Sequence, residues 1–451
     1  MIPCLHDLLK TKYFWCRTPI GDGAGNPVQT LLNPGYRKHM NHPSVELLAP
    51  AGSFEALTAA INAGCDAVYF GVEQLNMRAR SSINFTLDDL QEIARQCQAH
   101  GVKTCLTLNT VLYDHDIRLM KTIIDQARES GISAIIASDH AAMSHCRAIG
   151  MPLHISTQCN ISNVETVEFY AAYADVMVLA RELSLRQVAE IAREIERRQI
   201  TGPSGQLVRL EVFAHGALCM AVSGKCYLSL HSHNASANRG ACIQNCRKEY
   251  IVTSKEDGVE LAIDNEYIMS ARDLCTIGFL DQVLAAGVSV LKIEGRGRSA
   301  DYVDTTVRSY REAIDAIAGG TYTREKVDHW MAELATVYNR GFWDGYYLGR
   351  TMGEWNDSYG SKATEKKLYL GRGVKYFNKI GVGEFRMESH ALRTGDRVLL
   401  TSPQIGVIRT EVEEIHVDGG PVESVQQGDV FSIKVAEKVG PSTKLYKIIP
   451  A

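Results

Sequence analysis

The amino-acid sequence predicts an α/β protein: a TIM-like (β/α)8 barrel with a cysteine-rich insertion after strand 7, followed by a small C-terminal antiparallel β-barrel. Between residues 45 and 320, short apolar runs that end in polar residues alternate with longer stretches of helical period. Eight such runs occupy roughly 275 residues, close to the ~250 residues of a closed barrel. From residue 366 onward the runs shorten, alternate apolar with polar residues, and are separated by Gly-Asp and Gly-Gly turns.

Residues 1–44 are rich in Pro, Gly and Asn without a convincing period, and predict a loose extension. The sequence leaves open whether translation starts at Met1 or at Met40. In residues 45–320 every predicted strand except the seventh leads directly into a helix-like segment, and eight strands favour a closed barrel over a doubly wound sheet of about five or six. The predicted strands are VELLAPAG, AVYFGV, KTCLTLNT, AIIASD, LHISTQ, VMVLAR, LEVFAHG and VSVLKIEG.

Two further segments follow the predicted barrel. Residues 321–365 predict an amphipathic helix and then an aromatic, Gly-rich connector. Residues 366–451 predict the small β-barrel domain.

Composition limits the partners of this chain. The formal net charge is -4, so a nucleic acid would have to be bound by a local basic patch. No apolar run approaches the ~20 residues of a membrane-spanning helix, and we expect a cytoplasmic protein that does not contact membranes. In a reducing compartment we do not expect the 12 cysteines to form disulfides, so clustered cysteines become metal candidates.

Four cysteines cluster within the insertion at residues 217–250 with the spacing C-x6-C-x15-C-x3-C. Thiolates select zinc or an iron-sulfur cluster. Zinc ribbons use short C-x2-4-C pairs at both ends, so this spacing favours iron-sulfur and leaves zinc as the alternative. Cys159 and Cys275 could also touch the site, and the remaining barrel cysteines are expected in the core. The four predicted ligands are Cys219, Cys226, Cys242 and Cys246.

Polar residues end the predicted strands, where the βα loops of a barrel converge and carry its chemistry. Any single polar residue at a strand end could be there because loops are solvated. The prediction of a functional site therefore depends on the occurrence of many such residues at one rim. The strand-end residues are Asn109, Ser138, Asp139, Ser156, Thr157, Gln158, Arg181, Glu182, His215, Glu294 and Arg296.

The segment EVFAHGALCMAVSGKCYLS resembles the signature of the collagenase-like peptidase family U32, and four more motifs agree in order between Glu46 and Ile317. These are ELLAPAGSFEALTAAINAGCDAVYFG, STQ, RGACIQNCRKEY and LKIEGRGRSADYV. The C-x3-C pair after Arg-Gly resembles the RNA-modifying branch. The resemblance implies a 4Fe-4S cluster on the four cysteines and oxygen-independent hydroxylation, with prephenate as donor and 5-hydroxyuridine at the tRNA wobble position as product.

A dianion such as prephenate needs fixed cations, and arginine suits carboxylates. Arg296 is the strongest candidate, because it follows the eighth predicted strand, next to the strand that leads into the insertion. Glu294 could orient Arg296 or move a proton, and His215 could pair with Cys219 in a protease dyad. Each of the arginine candidates, including Arg296, could instead form a rim salt bridge. The predicted substrate-binding residues are Arg78, Arg80, Gln158, Arg181 and Arg298.

RNA needs a basic track with stacking surfaces. Residues 361–380 contain six Lys or Arg against one acid, with aromatic residues between them. A charged edge strand that prevents aggregation would look the same. A second basic patch flanks the cysteines. The predicted RNA-binding residues are Lys366, Lys367, Arg372 and Lys375 in the first patch and Arg239, Arg247 and Lys248 in the second.

Two other functions stay open. A peptidase would agree with the family label, but the sequence contains neither H-E-x-x-H nor G-x-S-x-G. The third hypothesis is a metal-bearing RNA-binding protein that catalyses no reaction.

Overall fold

The computed structural model describes residues 45–80, 84–250, 269–349 and 360–451. The predicted extension over residues 1–44 lies outside these ranges. Within them, no helix is long and apolar enough to cross a membrane.

The described residues between 45 and 343 form a barrel surrounded by helices. Its strands are β1 (Glu46–Pro50), β2 (Ala67–Phe70), β3 (Lys103–Leu108), β4 (Ala134–Ala137), β5 (Leu153–Ile155), β6 (Val176–Val178), β7 (Arg209–Ala217), β8 (Asp273–Cys275), β9 (Val290–Ile293) and β10 (Phe342–Trp343). The helices are α1 (Phe54–Asn62), α2 (Leu90–Ala99), α3 (Ile117–Glu129), α4 (His140–Ile149), α5 (Val164–Ala171), α6 (Leu185–Arg198), α7 (Leu228–His233), α8 (Leu280–Ala285), α9 (Ala300–Ala318) and α10 (Arg324–Thr336).

The barrel is closed by parallel pairing of β9 with both β1 and β7. Strands β1 to β7 pair in sequence order, so eight parallel strands complete the ring, as predicted. Tyr69, Cys105 and Ile136 belong to the cluster inside the ring, whereas most of the core lies between the strands and the helices. Strands buried on both faces read as continuous apolar runs, which is why the sequence pattern identifies them.

Two short strands extend the sheet beyond the predicted set. β8 pairs antiparallel with the end of β7, and β10 pairs parallel with β8. Tyr347 donates a hydrogen bond from its hydroxyl to the Phe213 carbonyl oxygen at 2.8 Å. The chain that follows the barrel therefore returns to the carboxyl ends of the barrel strands.

The C-terminal region is an antiparallel β domain. Its strands are β11 (Glu365–Phe377), β12 (Val382–Met387), β13 (Ala391–Arg393), β14 (Arg397–Ser402), β15 (Gly406–Glu411), β16 (Ile415–Val417), β17 (Gly420–Val422), β18 (Ser424–Gln426), β19 (Val430–Lys434) and β20 (Lys444–Pro450). Eight of them form one sheet in the order β15-β14-β20-β11-β12-β19-β16-β17, and β13 pairs with β18. Phe385 and Phe431 stack in its core, with ring centroids 5.9 Å apart.

This β domain contacts the barrel through ion pairs and hydrogen bonds to α1 and α9. Lys367 pairs with Asp301, and Arg409 pairs with Asp304. The Thr58 hydroxyl donates to the Pro403 carbonyl oxygen at 2.6 Å. Both aspartates lie in the first turns of α9, directly after the loop that ends at Arg298.

Candidate functional site

A cavity of about 390 Å³ opens at the carboxyl ends of the barrel strands. Three parts of the chain line it: the barrel strand ends, the cysteine insertion and the segment around residues 338–340. Parallel strands bring their carboxyl ends to one rim, so residues far apart in sequence meet there.

All four predicted metal ligands line this cavity and are free thiols. Burial raises the pKa of the Cys246 thiol, Arg247 lowers it, and negative charge on the other three cysteines raises it further. Burial also raises the pKa of Cys226, with contributions from Cys219 and Cys242. The pKa values of Cys226 and Cys246 therefore respond to the neighbouring thiols of the insertion.

The insertion is fixed to the barrel by its own polar residues. Arg247 donates to the Leu218 carbonyl oxygen at 2.7 Å, which joins the two ends of the insertion. Gly240 has a φ of +85°, and a Cβ there would lie 2.4 Å from the Asn76 carbonyl oxygen. The Arg-Gly dipeptide before Cys242 thus permits a close approach to the loop after β2 that a larger residue would prevent.

Cations dominate the rest of the cavity lining. Among the described lining residues Glu294 is the one carboxylate, although acidic residues behind the lining contact some of the cations. The excess of positive charge suits an anionic ligand. The seven lining cations are Arg78, Arg181, Arg247, Lys292, Arg296, Arg298 and Arg340.

Glu294 anchors part of this wall. Arg78 donates to one carboxylate oxygen at 2.9 Å, and the Tyr69 hydroxyl donates to the other at 3.1 Å. Burial alone would raise the pKa of Glu294, but Arg78, Arg181 and Arg296 lower it to about 2. Glu294 is therefore ionised at neutral pH and holds Arg78, whereas the sequence suggested that it could orient Arg296 or move a proton.

Arg296 lies buried beside Glu294. Its Nη1 donates to the Thr107 hydroxyl at 2.7 Å. Burial lowers the pKa of Arg296 to about 10, so the guanidinium stays charged at neutral pH. A buried guanidinium held by a neutral hydroxyl can bind an anion strongly, because little water competes for it.

Aromatic rings position two more of the cations. The Arg181 guanidinium lies 3.9 Å from the Phe213 ring centroid, and its buried Nε has no hydrogen-bond partner among the described residues. The Arg298 guanidinium lies 3.5 Å from the Tyr338 ring centroid. Tyr338 comes from the chain after α10.

Lys292 belongs to a buried polar chain below the cavity. Its Nζ lies 2.7 Å from Glu211 Oε1, and His154 Nδ1 lies 3.3 Å from Glu211 Oε2. Burial would raise the pKa of Glu211, but Lys292 and His154 lower it to about 2. This ion pair balances the charge of Lys292 within the barrel.

His215 does not line the cavity. The register of β7 against β9 shifts between Phe213 and His215, so these residues face opposite sides although they are two apart. His215 lies among aromatic rings, including Tyr310 at 5.5 Å between ring centroids, and burial lowers its pKa to about 3. The structure therefore turns this predicted catalytic residue away from Cys219 and towards the helices.

The other predicted residues are divided between the cavity and the surface. Gln158 lines the cavity and accepts a hydrogen bond from Asn109 at 3.3 Å. Arg80 and Lys248 are exposed outside it, and Arg239 pairs with Asp116 at 2.7 Å.

In β11 the predicted RNA-binding cations lie on the surface of the β domain. Lys367 pairs with Asp301, Arg372 Nε lies 2.8 Å from Glu388, and Lys375 lies 5.0 Å from the Phe377 ring centroid. Lys366 is exposed.

Sequence reasoning missed Tyr338 and Arg340 as cavity residues. Arg340 pairs with Asp273 of β8 at 3.2 Å, and both residues belong to segments that were not predicted as strands. The Arg-Gly-Phe-Trp run at residues 340–343 was the available signal, but nothing in its spacing indicates which part of the barrel it contacts.

Comparison with known proteins identifies the family. The model of Peptidase family U32 matches residues 52–357. A Porphyromonas gingivalis protein named Collagenase is 57% identical over 408 residues, covering 90% of this chain and 99% of that protein. The tRNA hydroxylation protein P of Helicobacter pylori is 34% identical over 317 residues, covering 68% of this chain and 72% of that protein. A 23S rRNA 5-hydroxycytidine synthase of Escherichia coli is 30% identical over 403 residues, covering 88% of this chain and 53% of that protein. This chain belongs to peptidase family U32.

Proposed function

We propose that this chain is an iron-sulfur-dependent RNA hydroxylase that forms 5-hydroxyuridine at the wobble position of the tRNA anticodon. The observation that carries the proposal is the meeting of four cysteines and an arginine-rich wall in one cavity. Relatives named for tRNA hydroxylation and for rRNA 5-hydroxycytidine synthesis support RNA as the substrate. An enzyme acting on tRNA would work in the cytoplasm.

The cysteines suit a cluster better than a single metal ion. One zinc ion needs all its sulfur ligands ~2.3 Å from a single point. The spacing C-x6-C-x15-C-x3-C also departs from the short pairs at both ends of zinc ribbons. A 4Fe-4S cluster places its ligands further apart, since each iron takes its own thiolate. When bound, such a cluster would supply one-electron transfer for the oxidation of the base.

The cavity wall would bind the hydroxyl donor, for which we propose prephenate in place of molecular oxygen. Arg181, Arg296 and Arg298 contact a ring or a hydroxyl, whereas Glu294 forms its hydrogen-bonded ion pair with Arg78, so these three are the cations best placed to bind two carboxylates. Because these side chains are already fixed, binding costs little of their conformational freedom. Glu294 would keep Arg78 in place and would carry no proton.

A deletion strain tests this function. Mass spectrometry of nucleosides from its tRNA should show loss of 5-hydroxyuridine, restored by the wild-type gene on a plasmid. An unchanged level, in a strain without a second family member, would contradict the proposal. Detectable tRNA binding together with an unchanged level would favour a metal-bearing RNA-binding protein without chemistry.

The relative named Collagenase makes a peptidase the second candidate. The described residues that line the cavity include no histidine, so neither a Cys-His dyad nor a His-bound zinc can form there. We therefore expect no peptide release from denatured collagen by the purified protein. Release that disappears when Cys219 is replaced by Ser would support the peptidase.

A further inference from the structure

The cysteine insertion presents many apolar side chains to solvent around the cavity entrance. Tyr227, directly after Cys226, is 68% exposed, and Tyr113 of the neighbouring loop after β3 is 53% exposed. Eight of the large hydrophobic residues exposed in the described ranges lie in these two segments, and we call them the mouth collar. They are Val111, Tyr113, Met220, Val222, Tyr227, Leu228, Leu230 and Ile243.

Hydrogen bonds join the two segments into one surface. The Val111 amide donates to the Asn238 carbonyl oxygen at 3.1 Å, and Arg239 donates to the Val111 carbonyl oxygen at 2.9 Å. The Arg239 guanidinium lies 4.3 Å from the Tyr113 ring centroid, and Asp116 holds Arg239 in place. Val222 and Asn238 line the cavity, so the collar borders its entrance.

The charge of the insertion indicates what this apolar surface binds. Residues 217–250 contain four Lys or Arg and one acid, Glu249. Lys225 and Lys248 are exposed on it. Exposed aromatic rings beside positive charge match single-stranded nucleic acid, whose bases stack while its phosphates need cations.

We infer that the mouth collar binds the unpaired loop of an RNA, with bases stacked on Tyr113 and Tyr227. This inference rests on the proposed function and adds where the RNA lies on the protein. A base must leave its stack to reach a buried reaction centre. A stacking surface at the cavity entrance would keep the neighbouring bases bound while that base enters. The cations of β11 are less suited to this task, because Lys367 and Arg372 already contact carboxylates.

Fluorescence anisotropy with the full-length, anaerobically purified protein tests the inference. The probes are a short RNA hairpin with an unpaired loop, an RNA duplex of equal length and a collagen-like Gly-Pro-Pro peptide. Tyr113→Ala and Tyr227→Ala should each weaken hairpin binding about tenfold, with little effect on the duplex. Tyr113→Phe and Tyr227→Phe should bind like wild type and show that the fold is intact. Phe169→Ala, at a ring 60% exposed on α5, is the matched control and should also bind like wild type.

Two results would overturn the inference in different ways. If both alanine variants bind the hairpin as wild type does, the RNA lies elsewhere, and the proposed hydroxylase function stands. If the protein binds the collagen-like peptide but no RNA, and both tyrosines are needed, the collar is a peptide surface and the proposed function fails with it. Tyrosine-dependent hairpin binding with an unchanged 5-hydroxyuridine level in the deletion strain would support the collar and contradict the hydroxylase.

Discussion

The cavity wall and strand β11 are both rich in Lys and Arg, yet the structure surrounds their cations differently. In β11, Lys367 contacts Asp301 of α9, and Arg372 contacts Glu388, which directly follows the neighbouring strand β12. In the cavity wall, Arg296 contacts a hydroxyl and Arg298 an aromatic ring. Arg78, Lys292 and Arg340 of the wall also pair with carboxylates, so the difference rests on Arg181, Arg296 and Arg298. Basic residues therefore predict an anion site only where the fold holds some of them by rings or hydroxyls.

The largest expected effect in the cavity comes from removing one cysteine. Cys226→Ser should reduce iron and labile sulfide to near background and abolish hydroxylation, because a hydroxyl is a poor ligand for iron-sulfur clusters. Metal analysis and the absorption spectrum of anaerobically purified protein measure this. Cys159→Ser is the control, since that thiol lies outside the cavity lining and contacts the Ser138 carbonyl oxygen. Full iron content in Cys226→Ser would exclude Cys226 as a ligand.

Removing a cavity cation should have the second largest effect on hydroxylation. Arg296→Met should lower kcat/KM for hydroxylation by about 10- to 100-fold, the value of a charged hydrogen bond of ~1.5–3 kcal/mol, with iron content unchanged. Arg186→Met is the control, because that side chain is 73% exposed on α6 and pairs with Glu190 at 3.9 Å. Equal kcat/KM in the two variants would remove Arg296 from substrate binding.

Glu294→Gln distinguishes orientation from proton transfer. The pKa of about 2 keeps this carboxylate charged between about pH 5 and 8, so the variant should lose a similar factor, about tenfold, at every pH. The pKa of Glu294 in the folded protein lies below its unfolded value of ~4.5, so its ionisation stabilises the fold. This stabilisation is fully present above pH ~4.5 and is lost as the pH falls towards 2. A pH-rate profile whose limb disappears in the variant would show that Glu294 transfers a proton.

The smallest effects are expected in β11 and concern stability. Lys367→Met leaves Asp301, whose side chain is 12% exposed, without its cation, and should cost about 1.5–3 kcal/mol in the free energy of unfolding. Arg372→Met removes a pair in which the arginine is 60% exposed and should cost under about 1 kcal/mol. Urea unfolding measures both. If the two variants lose the same free energy of unfolding, the Lys367–Asp301 contact with α9 stabilises the protein no more than a surface ion pair does.

The sequence predicted the barrel well because its information is local. Each parallel strand is buried on both faces, so runs such as AVYF and VLKI identify their strands without knowledge of their partners. The meeting of the four cysteines in one cavity was equally accessible, since all four lie within one short insertion.

Two errors had non-local causes. His215 was predicted at the rim from its position at a strand end, but an irregularity in the pairing of β7 with β9 turns it outwards. Tyr338 and Arg340 were missed because they precede β10, which pairs with the unpredicted strand β8, and such pairing leaves little trace in a short segment.

The ion pairs on α9 determine how RNA binding can be mapped. A chain shortened before β11 would leave Asp301 and Asp304, both buried, without Lys367 and Arg409 at the start of the helix that follows Arg298. Such a truncation would disturb the loop that carries Arg296 and Arg298, so any loss of binding could originate in the cavity as readily as in the missing domain. Point substitutions that keep both pairs intact are the appropriate way to separate the two regions.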